Sequence, residues 1–190
     1  TSSHVSDVNV GEILEINNET LDISVLNKPI LINKQTTPCS FEYLYFLREK
    51  SKVNGINVKD FRIHIGEKLA KQITNNNIIN KWKEAIVCGV PTSGICFAKS
   101  FSKSLNIEYN QFLELNNDYK YRSFILKTDK ERLEACRKKF KLNSSTIKDR
   151  IIILVDDSIV RGNTLKYLIS YIRSENPKEI HFISGSPPIK

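Results

Sequence analysis

The chain has 190 residues, of which 40% are hydrophobic and 26% are charged, a composition typical of one globular domain with a sizeable core. Its formal net charge is +8, but the lysines are spread out and the densest basic stretch is only CRKKFK (136–141), so we expect no nucleic-acid partner. No apolar run approaches the roughly 20 residues that cross a bilayer, which argues against a membrane span.

The first forty residues predict a leading β segment. The stretch 11–27 contains two apolar runs around the polar turn 18–20. Its second run alternates apolar and polar residues, as a half-buried strand does, with Leu21, Ile23 and Val25 on one side. The aromatic stretch 41–51 fits a strand or a short helix equally well, and the pattern does not decide between them.

The middle of the chain alternates predicted helices and strands. Apolar residues recur at helical spacing over 57–74, which predicts an amphipathic helix interrupted by the polar residues 74–77. The run 85–90 predicts a buried strand that ends in the loop PTSG and is followed by a helix. The stretch 122–126 is a further strand candidate, and the charged residues 127–142 predict a solvated helix or loop.

The last third of the chain repeats the order strand, loop, helix, strand. It contains IIILV at 151–155, an acidic loop, a helix from about residue 163 and EIHFIS at 179–184. This order favours parallel strands joined by helical crossovers in an open α/β sheet. Because such sheets bind ligands at the carboxyl ends of their strands, the loops 90–94 and 156–163 form the predicted site.

The acidic loop combines two kinds of chemistry. A loop between a buried strand and a helix N-terminus presents backbone N–H groups and the positive end of a helix dipole, which suits a phosphate. Gly162 permits close approach, and Ser158 and Thr164 add hydroxyl donors. Asp156 and Asp157 would repel a bare phosphate, but they suit sugar hydroxyls or Mg²⁺. A phosphorylated sugar with a metal ion satisfies both halves, although these residue types also form ordinary turns and helix caps.

The motif ILVDDSIVRGNT closely resembles the phosphoribosyl-pyrophosphate (PRPP) motif of type I phosphoribosyltransferases. More narrowly, it resembles the DDSIVRGTT of the glutamine PRPP amidotransferases (amidophosphoribosyltransferases) of purine synthesis. Other stretches are similar to that family in the same order: HVSDVNVGEILEI, PCSFEYLYFLREKS, FRIHIGEKLA, VPTSG, YKYRSFI and HFISGSPPIK. The resemblance implies a type I phosphoribosyltransferase-like fold, an open and mainly parallel α/β sheet with helices on both faces. We expect one such domain over 1–190, with 1–40 as its leading β segment and the C-terminal part of the family domain missing.

The resemblance also implies roles for individual residues. Asp156 and Asp157 would contact the ribose hydroxyls of PRPP and organise Mg²⁺, the one expected cofactor. The VPTSG loop would bind pyrophosphate through Thr92, Ser93 and Gly94. The loop after the acids would wrap the 5′-phosphate with Ser158, Ile159, Val160, Arg161, Gly162, Asn163 and Thr164.

A mobile loop, YKYRSF, would close over the bound substrate. Its Tyr119 and Arg122 are the candidate catalytic residues, because they keep the family's residue types. The implied reaction is the attack of ammonia on the anomeric carbon of PRPP, with release of pyrophosphate and formation of phosphoribosylamine. Such catalysis depends on positioning and charge stabilisation, so it needs no nucleophilic side chain.

The sequence departs from the family mainly at the pyrophosphate end. Thr92 stands where the common VPDSG motif has Asp, and Asn163 replaces a hydroxyl donor in the phosphate loop. Just before the mobile loop, Asn116 and Asp118 take the places of Lys and Arg. Within the loop, Tyr121 takes the place of Gly. We expect these changes to weaken pyrophosphate binding, because cations there offset the charge of the substrate.

Three interpretations of the function stay open at the level of sequence, the third being a PRPP- or nucleotide-sensing regulator that shares the binding pocket but not the turnover. The first is a transferase domain that works as a homo-oligomer and receives ammonia from a glutaminase domain, a domain that these 190 residues do not contain. The second is a non-catalytic subunit of a larger assembly, including an organellar one, that retains only a sugar-phosphate or nucleotide pocket. The intact DDSIVRG favours the first interpretation, and the altered mobile loop and the basic charge favour the second.

The four cysteines and three histidines show no ligand spacing. No CxxC pair is present, which argues against a disulfide framework and favours a reducing compartment. Cys39 matches an iron–sulfur ligand of some relatives, but the other ligands would lie beyond Lys190, so we expect a relic or an ordinary buried thiol. The resemblance implies a cytoplasmic location, with a mitochondrial or other organellar one as the alternative.

Overall fold

The computed structural model describes residues 8–9, 11–27, 39–73, 76–116, 118, 128–160 and 162–187. Its contacts divide the chain into two compact units, Thr1–Pro38 and Cys39–Lys190. The predicted strand 122–126 lies outside the described residues. Within the described ranges, no helix is long and apolar enough to cross a membrane.

The first unit contains a two-stranded antiparallel hairpin, which confirms the two predicted strands. β1 (Leu14–Ile16) pairs with β2 (Ile23–Val25). The predicted half-burial of the second strand is wrong, because Leu21, Ile23 and Val25 are 72%, 65% and 54% exposed. A hairpin of two strands has no second layer of its own that could bury such side chains.

The second unit is an α/β arrangement whose longer elements match the predicted ones. Its helices are α1 (Val58–Gln72), α2 (Asn76–Trp82), α3 (Gly94–Leu105), α4 (Asp129–Lys139) and α5 (Asn163–Arg173). Its strands are β3 (Lys52–Val53), β4 (Ile56–Asn57), β5 (Ala85–Gly89), β6 (Glu108–Tyr109), β7 (Leu113–Leu115), β8 (Phe140–Leu142), β9 (Ile151–Asp156) and β10 (Glu179–Ser184). The short strands β3, β4, β6, β7 and β8 were not predicted, because two or three residues carry no readable alternation.

Four parallel strands form the central sheet in the order β10-β9-β5-β6. The inner strand β9 is paired on both sides, with Ile152 opposite Ile86 of β5 and Ile180 of β10. The edge strand β6 pairs with β5 through Val87, which lies opposite Tyr109. The parallel pairing predicted from the strand–helix order is therefore confirmed.

Helices cover both faces of this sheet, which confirms the predicted fold class. Successive side chains of a strand point to opposite faces, so Ile152 packs in a cluster with α4 and α5, whereas Ile153 packs in a cluster with α1 and α3. The single tryptophan of the chain, Trp82, is buried in the second cluster, and its ring centroid lies 6.3 Å from that of Phe101.

The stretch 41–51, which the sequence left open, forms a helical turn at Glu42–Phe46. The buried Arg62 of α1 anchors this turn. Its Nε donates to the Tyr43 carbonyl at 3.0 Å, and its Nη2 donates to the Leu47 carbonyl at 2.8 Å. Because carbonyl groups at the end of a helical turn lack backbone partners, the guanidinium satisfies acceptors that would otherwise be left unpaired.

Capping residues set several helix ends. The side chain of Asn57 accepts a hydrogen bond from the N–H of Lys59 at 2.9 Å, which starts α1. Thr128 and Glu131 form a reciprocal capping box, which explains why the charged stretch 127–142 begins as a helix. α3 ends at Asn106, whose φ of 53° is the left-handed conformation that stops a helix.

The cysteines of the second unit differ in burial. Cys39 is exposed, so the expectation of a buried thiol there is wrong; it lies just before the helical turn, outside both core clusters. Cys88 and Cys96 are buried, and burial raises the pKa of Cys88 to about 12 and that of Cys96 to about 11. These two thiols therefore stay protonated at neutral pH.

Helices α1 and α3 make their closest approach at Gly66. A Cβ atom at this position would lie 2.5 Å from the carbonyl oxygen of Phe97 and 3.2 Å from the backbone nitrogen of Phe101, and closer still to the hydroxyl of Ser100. Side chains essentially never tolerate such contacts. The glycine therefore permits the two helices to pack backbone against backbone beneath the sheet.

We expect Gly66→Ala to lower the free energy of unfolding by about 1–3 kcal/mol. Overpacking this contact should outweigh the roughly 1 kcal/mol that alanine gains over glycine inside a helix. Urea denaturation followed by Trp82 fluorescence measures the change. The double variant Gly66→Ala/Ser100→Ala removes the clash of the new methyl group with the Ser100 hydroxyl but keeps its clash with the backbone of Phe97. It should therefore recover part of the lost free energy of unfolding. A single variant as stable as the wild type would show that the helices do not touch here.

Candidate functional site

The carboxyl ends of three parallel strands meet at one edge of the sheet. Val90 follows β5 directly, and its N–H donates to the Val155 carbonyl of β9 at 2.9 Å. Gly185 follows β10 directly, and its N–H donates to the Asp156 carbonyl at 2.8 Å. The first of these bonds brings the described parts of the two predicted loops, 90–94 and 156–163, side by side, and the second joins the acidic loop to the end of β10.

Two glycines allow this close approach. A Cβ atom at Gly94 would lie 3.1 Å from the Cα of Asp156, and one at Gly89 would lie 2.6 Å from the Cα of Ile95. The loop 90–94 therefore folds tightly over the end of its own strand, and the first residue of α3 lies against the acidic loop. The peptide bond between Pro91 and Thr92 in this loop is cis.

The two adjacent carboxylates have different surroundings. Asp156 is half-buried, and its Oδ1 accepts a hydrogen bond from the backbone N–H of Asp157 at 2.9 Å. Asp157 is only 3% exposed; its Oδ1 accepts from the Ser158 hydroxyl at 2.7 Å, whereas its Oδ2 has no partner among the described residues. A buried acceptor left unpaired costs roughly 1–3 kcal/mol, so this oxygen is suited to accept from a ligand.

The carboxyl group of Asp156 is in an environment that disfavours its charged form. Burial raises the pKa of its carboxyl to about 7, and the neighbouring Asp157 contributes in the same direction. The N–H of Asp157 and the ammonium of Lys139 lower this pKa, but by less. A donor or cation that arrives beside Asp156 would therefore relieve an unfavourable charge. Lys139 is the last residue of α4, and no sequence pattern predicts that it lies near this edge.

Two helices begin at this edge without a side-chain cap. α5 follows Gly162, which has a φ of 67°, and α3 follows Ser93, whose hydroxyl makes no capping bond. In the described part of the chain the N–H of Gly94 donates to the Val90 carbonyl at 2.9 Å, and no cap side chain covers the other N–H groups of the two first turns. The positive ends of both dipoles lie at the same edge. This arrangement suits a ligand that carries anionic groups at two ends.

Most of the predicted site residues lie in these two adjoining loops. Those that the structure describes there are Thr92, Ser93, Gly94, Asp156, Asp157, Ser158, Ile159, Val160, Gly162 and Thr164. The hydroxyl of Ser158 is bound to Asp157 rather than free for a phosphate. Ile159 and Val160 are 51% and 79% exposed, which is unusual for large apolar residues.

Four predicted residues can be judged only in part or not at all from the structure. Tyr119, Arg122 and Arg161 lie outside the described residues, as does Tyr121. Asn163 is described by its backbone alone, as the first residue of α5. The roles that the resemblance implies for them stay predictions.

The sequence reasoning missed Gln111, which links three parts of this edge. Its Nε2 donates to the Gly89 carbonyl at 2.8 Å and to the Leu113 carbonyl at 2.6 Å, and its Oε1 accepts from the Tyr109 hydroxyl. Burial raises the pKa of Tyr109 to about 12, so its hydroxyl remains a donor. No motif marks a glutamine between two strands as short as β6 and β7.

Carboxylate oxygens are the candidate metal ligands at this edge. In the part of the chain that the structure describes, no three His, Cys, Asp or Glu side chains cluster so as to hold a metal ion. Mg²⁺ keeps several waters, however, and is often held by one or two carboxylates together with substrate phosphates. The unpartnered, buried Oδ2 of Asp157 fits such a use.

Comparison with protein families identifies the second unit. The profile described as the phosphoribosyl transferase domain matches residues 57–184, which is more than half of the chain. The chain belongs to this family. The match covers all four strands of the central sheet and both loops of the candidate site, and it leaves the hairpin of the first unit outside.

Curated proteins similar to this phosphoribosyl transferase domain include amidophosphoribosyltransferases of several microorganisms. The one from Methanothermobacter thermautotrophicus is 39% identical over 189 residues, which cover 100% of this chain and 37% of the relative. The one from Methanocaldococcus jannaschii is 35% identical, over 97% of this chain and 40% of the relative. The chain thus spans well under half the length of these relatives, and the resemblance carried by its motifs is confirmed.

Solved structures similar to the phosphoribosyl transferase domain agree with this result. One is described as the allosteric regulatory enzyme of purine biosynthesis; it is 31% identical with a TM-score of 0.71, over 97% of this chain and 37% of its own. Another is the glutamine PRPP amidotransferase from Bacillus subtilis complexed with ADP and GMP. It is 32% identical with a TM-score of 0.71, over 96% of this chain and 37% of its own.

We expect Asp156→Asn to remove a part of the pH dependence of stability. The pKa of this carboxyl is about 7 when folded and near 4 when unfolded, so the folded state holds the proton more tightly. Its stabilising contribution is therefore complete below about pH 4 and lost as the pH rises through 7. Urea denaturation at a series of pH values, without added divalent cation, should show the wild type losing more stability than the variant.

The control for this experiment is Asp60→Asn, which removes an exposed carboxylate in the first turn of α1. It should leave the pH dependence near that of the wild type. Parallel stability curves for the wild type and Asp156→Asn would contradict the raised pKa.

Proposed function

We propose that this chain is the part of an amidophosphoribosyltransferase that binds PRPP and transfers its phosphoribosyl group to ammonia. The observation that carries this proposal is the acid pair, with Asp157 buried and Asp156 half-buried, beside two helix N-termini that have no side-chain cap among the described residues. PRPP has the matching groups, since its ribose hydroxyls lie between a 5′-phosphate and a pyrophosphate. The similarity of the whole chain to enzymes of that name supports the choice.

The 5′-phosphate would bind at the start of α5. Gly162 places no side chain between the ligand and the backbone, so the N–H groups of the first turn and the helix dipole would stabilise the phosphate charge. Arg161, Asn163 and Thr164 would complete the cradle. The ribose hydroxyls would donate to Asp156 and to the unpartnered Oδ2 of Asp157, which would satisfy that buried oxygen.

The pyrophosphate would bind at the loop 90–94 and the start of α3. Ser93 precedes that helix and Gly94 begins it. The N–H of Gly94 donates to the Val90 carbonyl at 2.9 Å, so the N–H of Ser93 and the positive end of the helix dipole would bind the pyrophosphate. Thr92 is exposed and supplies a hydroxyl where the family's common motif has a carboxylate. A hydroxyl donates to a phosphate oxygen without adding negative charge, but it is a poorer ligand for a cation.

The acid pair is the place where Mg²⁺ would be held. Asp156 and Asp157 offer oxygen ligands. Burial, together with the neighbouring Asp157, raises the pKa of Asp156 to about 7, so a cation beside it would stabilise its charged form. When bound, the ion would offset the negative charge that develops on the departing pyrophosphate.

The chemistry requires positioning more than a reactive side chain. The lone pair of ammonia attacks the anomeric carbon, the bond from that carbon to the pyrophosphate oxygen breaks, and pyrophosphate leaves with the bonding electrons. The attacking nitrogen then gives a proton to solvent. The fixed strand ends would contribute by holding both ends of PRPP so that the anomeric carbon meets the nucleophile in one orientation. Tyr119 and Arg122 stay predicted contributors to closure.

We expect Asp156→Asn/Asp157→Asn to abolish Mg²⁺-dependent PRPP binding, with at least a hundredfold loss of affinity, while the fold is retained. Both ribose acceptors and both candidate metal ligands are weakened by this change. Calorimetric titration with PRPP and Mg²⁺ measures binding, and pyrophosphate release with ammonium as nitrogen donor measures turnover. The matched control Asp22→Asn/Asp60→Asn removes two exposed carboxylates and should bind PRPP as the wild type does.

The same two measurements separate the alternative interpretation. If the wild type binds PRPP but releases no pyrophosphate with ammonium, the transferase interpretation is wrong and the chain is a non-catalytic sugar-phosphate pocket. Affinity for PRPP that is unchanged in the acid-pair variant would refute the assignment of the site.

Ligands and partners beyond PRPP follow from the relatives and stay predictions. A purine nucleotide is a further candidate ligand, since one similar structure was solved with ADP and GMP. A glutaminase domain as the ammonia source, a homo-oligomeric state and a cytoplasmic location are likewise expected from the family. The relatives named above are bacterial and archaeal, which gives the organellar alternative no support.

A further inference from the structure

We propose that Gln111 is a positioning residue that sets the geometry of the pyrophosphate-binding loop 90–94. The inference rests on the proposed function and extends it to a residue outside the motifs that carry the family resemblance. Gln111 touches neither end of the ligand in this proposal. It would act through the last residue of β5, Gly89.

The side chain of Gln111 continues the parallel ladder beyond the end of β6. The backbone N–H of Asn110 donates to the Val87 carbonyl at 3.0 Å, so the next acceptor on β5 is the carbonyl of Gly89. In a regular parallel pair that carbonyl would receive the N–H of the residue two positions after Asn110. Here it receives Nε2 of Gln111 at 2.8 Å instead. The side chain of Gln111 thus extends the pairing of β5 by one hydrogen bond, from the Val87 carbonyl to the Gly89 carbonyl.

The orientation of this amide is determined by its partners. Both N–H bonds of Nε2 are used, on the carbonyls of Gly89 and Leu113, and Oε1 faces the hydroxyl of Tyr109. Turning the amide over would place its oxygen against two carbonyl oxygens, which is repulsive. The two carbonyls and the Tyr109 hydroxyl together hold Gln111 with its donors towards the strand end.

The loop 90–94 is consequently held from two sides. On one side, Val90 donates to the Val155 carbonyl of β9; on the other, Gln111 binds the residue just before it. A Cβ atom at Gly89 would clash with the backbone of Ile95, so a shift of Gly89 would displace the start of α3 as well. The N–H of Ser93 and the helix dipole, which are proposed to bind pyrophosphate, would then lose their alignment.

In the described part of the chain, the hydrogen bonds of the Gln111 side chain go to Tyr109, Gly89 and Leu113, none of which lies in the acidic loop or at the start of α5. The acidic loop is tied to β10 through Gly185, on the side of the sheet away from β6. Loss of the Gln111 donors should therefore weaken the pyrophosphate end of the site and spare the 5′-phosphate end. A residue with a merely structural role would weaken both ends together with the stability of the fold.

The decisive variant is Gln111→Glu, which keeps the shape of the side chain but replaces both donors by a carboxylate oxygen. We expect about tenfold weaker binding of PRPP and of inorganic pyrophosphate, and binding of ribose 5-phosphate within about twofold of the wild type. Calorimetric titrations of the full chain with each of the three ligands and Mg²⁺ measure these affinities. Gln72→Glu makes the same chemical change at an exposed position near the end of α1 and should alter none of them.

Tyr109→Phe provides a second, gentler variant, because it removes only the hydroxyl that orients the amide. It should lose pyrophosphate affinity in the same selective way but to a smaller extent, about twofold to fivefold. Thermal melts of all variants show whether they are folded. If Gln111→Glu fails to fold, the inference is tested by Tyr109→Phe alone, which should lose affinity for pyrophosphate but not for ribose 5-phosphate.

Three results would overturn the inference or its basis. Unchanged pyrophosphate affinity in both variants refutes a positioning role, and an equal loss of affinity for pyrophosphate and ribose 5-phosphate reduces Gln111 to a structural residue. In both cases a wild type that binds PRPP leaves the proposed function standing. A wild type that binds none of the three ligands refutes the proposed function, and this inference with it.

Discussion

The contact between the start of α3 and the end of β9 determines where the rest of the site lies. Gly94 lies so close to Val155 and Asp156 that a single methyl group would not fit between them. Because of this contact, the loop after one strand and the acids after the next share one surface. The hydrogen bond from Val90 to Val155 fixes the same register. Both helix N-termini therefore lie at the same edge of the sheet, next to the acid pair.

This edge concentrates groups that the chain leaves unsatisfied. Among the residues that the structure describes, a buried carboxylate oxygen of Asp157 has no partner and two first turns have no side-chain cap, and burial raises the pKa of the neighbouring Asp156 to about 7. Each of these reduces stability in the absence of a ligand, by about a kcal/mol or more for the buried oxygen. The continuous apolar strands β5 and β9, covered on both faces, offset that loss. The fold thus uses a rigid core to hold an edge that is stabilised when a charged ligand binds.

The sequence predicted the long elements because their patterns extend over several turns or a whole buried strand. The prediction failed where an element is short, as for β6 with its two residues. It also failed where burial depends on distant partners, as for the apolar face of β2, which is exposed. The acid pair could be selected from its position after an apolar run. Gln111 could not, because its importance comes from the carbonyl of Gly89, which is 22 positions away in the chain. Lys139 near Asp156 is a similar case, since only the fold brings α4 to the end of β9.

Trp82 is the only tryptophan of the chain, and it lies in the core of the larger unit beside Phe101. Its emission therefore reports directly on the unfolding of that unit, whereas the hairpin of β1 and β2 contains no tryptophan of its own. A single smooth transition in fluorescence would be compatible with a hairpin that has already unfolded or one that has not. Backbone circular dichroism at the same denaturant concentrations sees both units, so a mismatch between the two traces would reveal separate transitions.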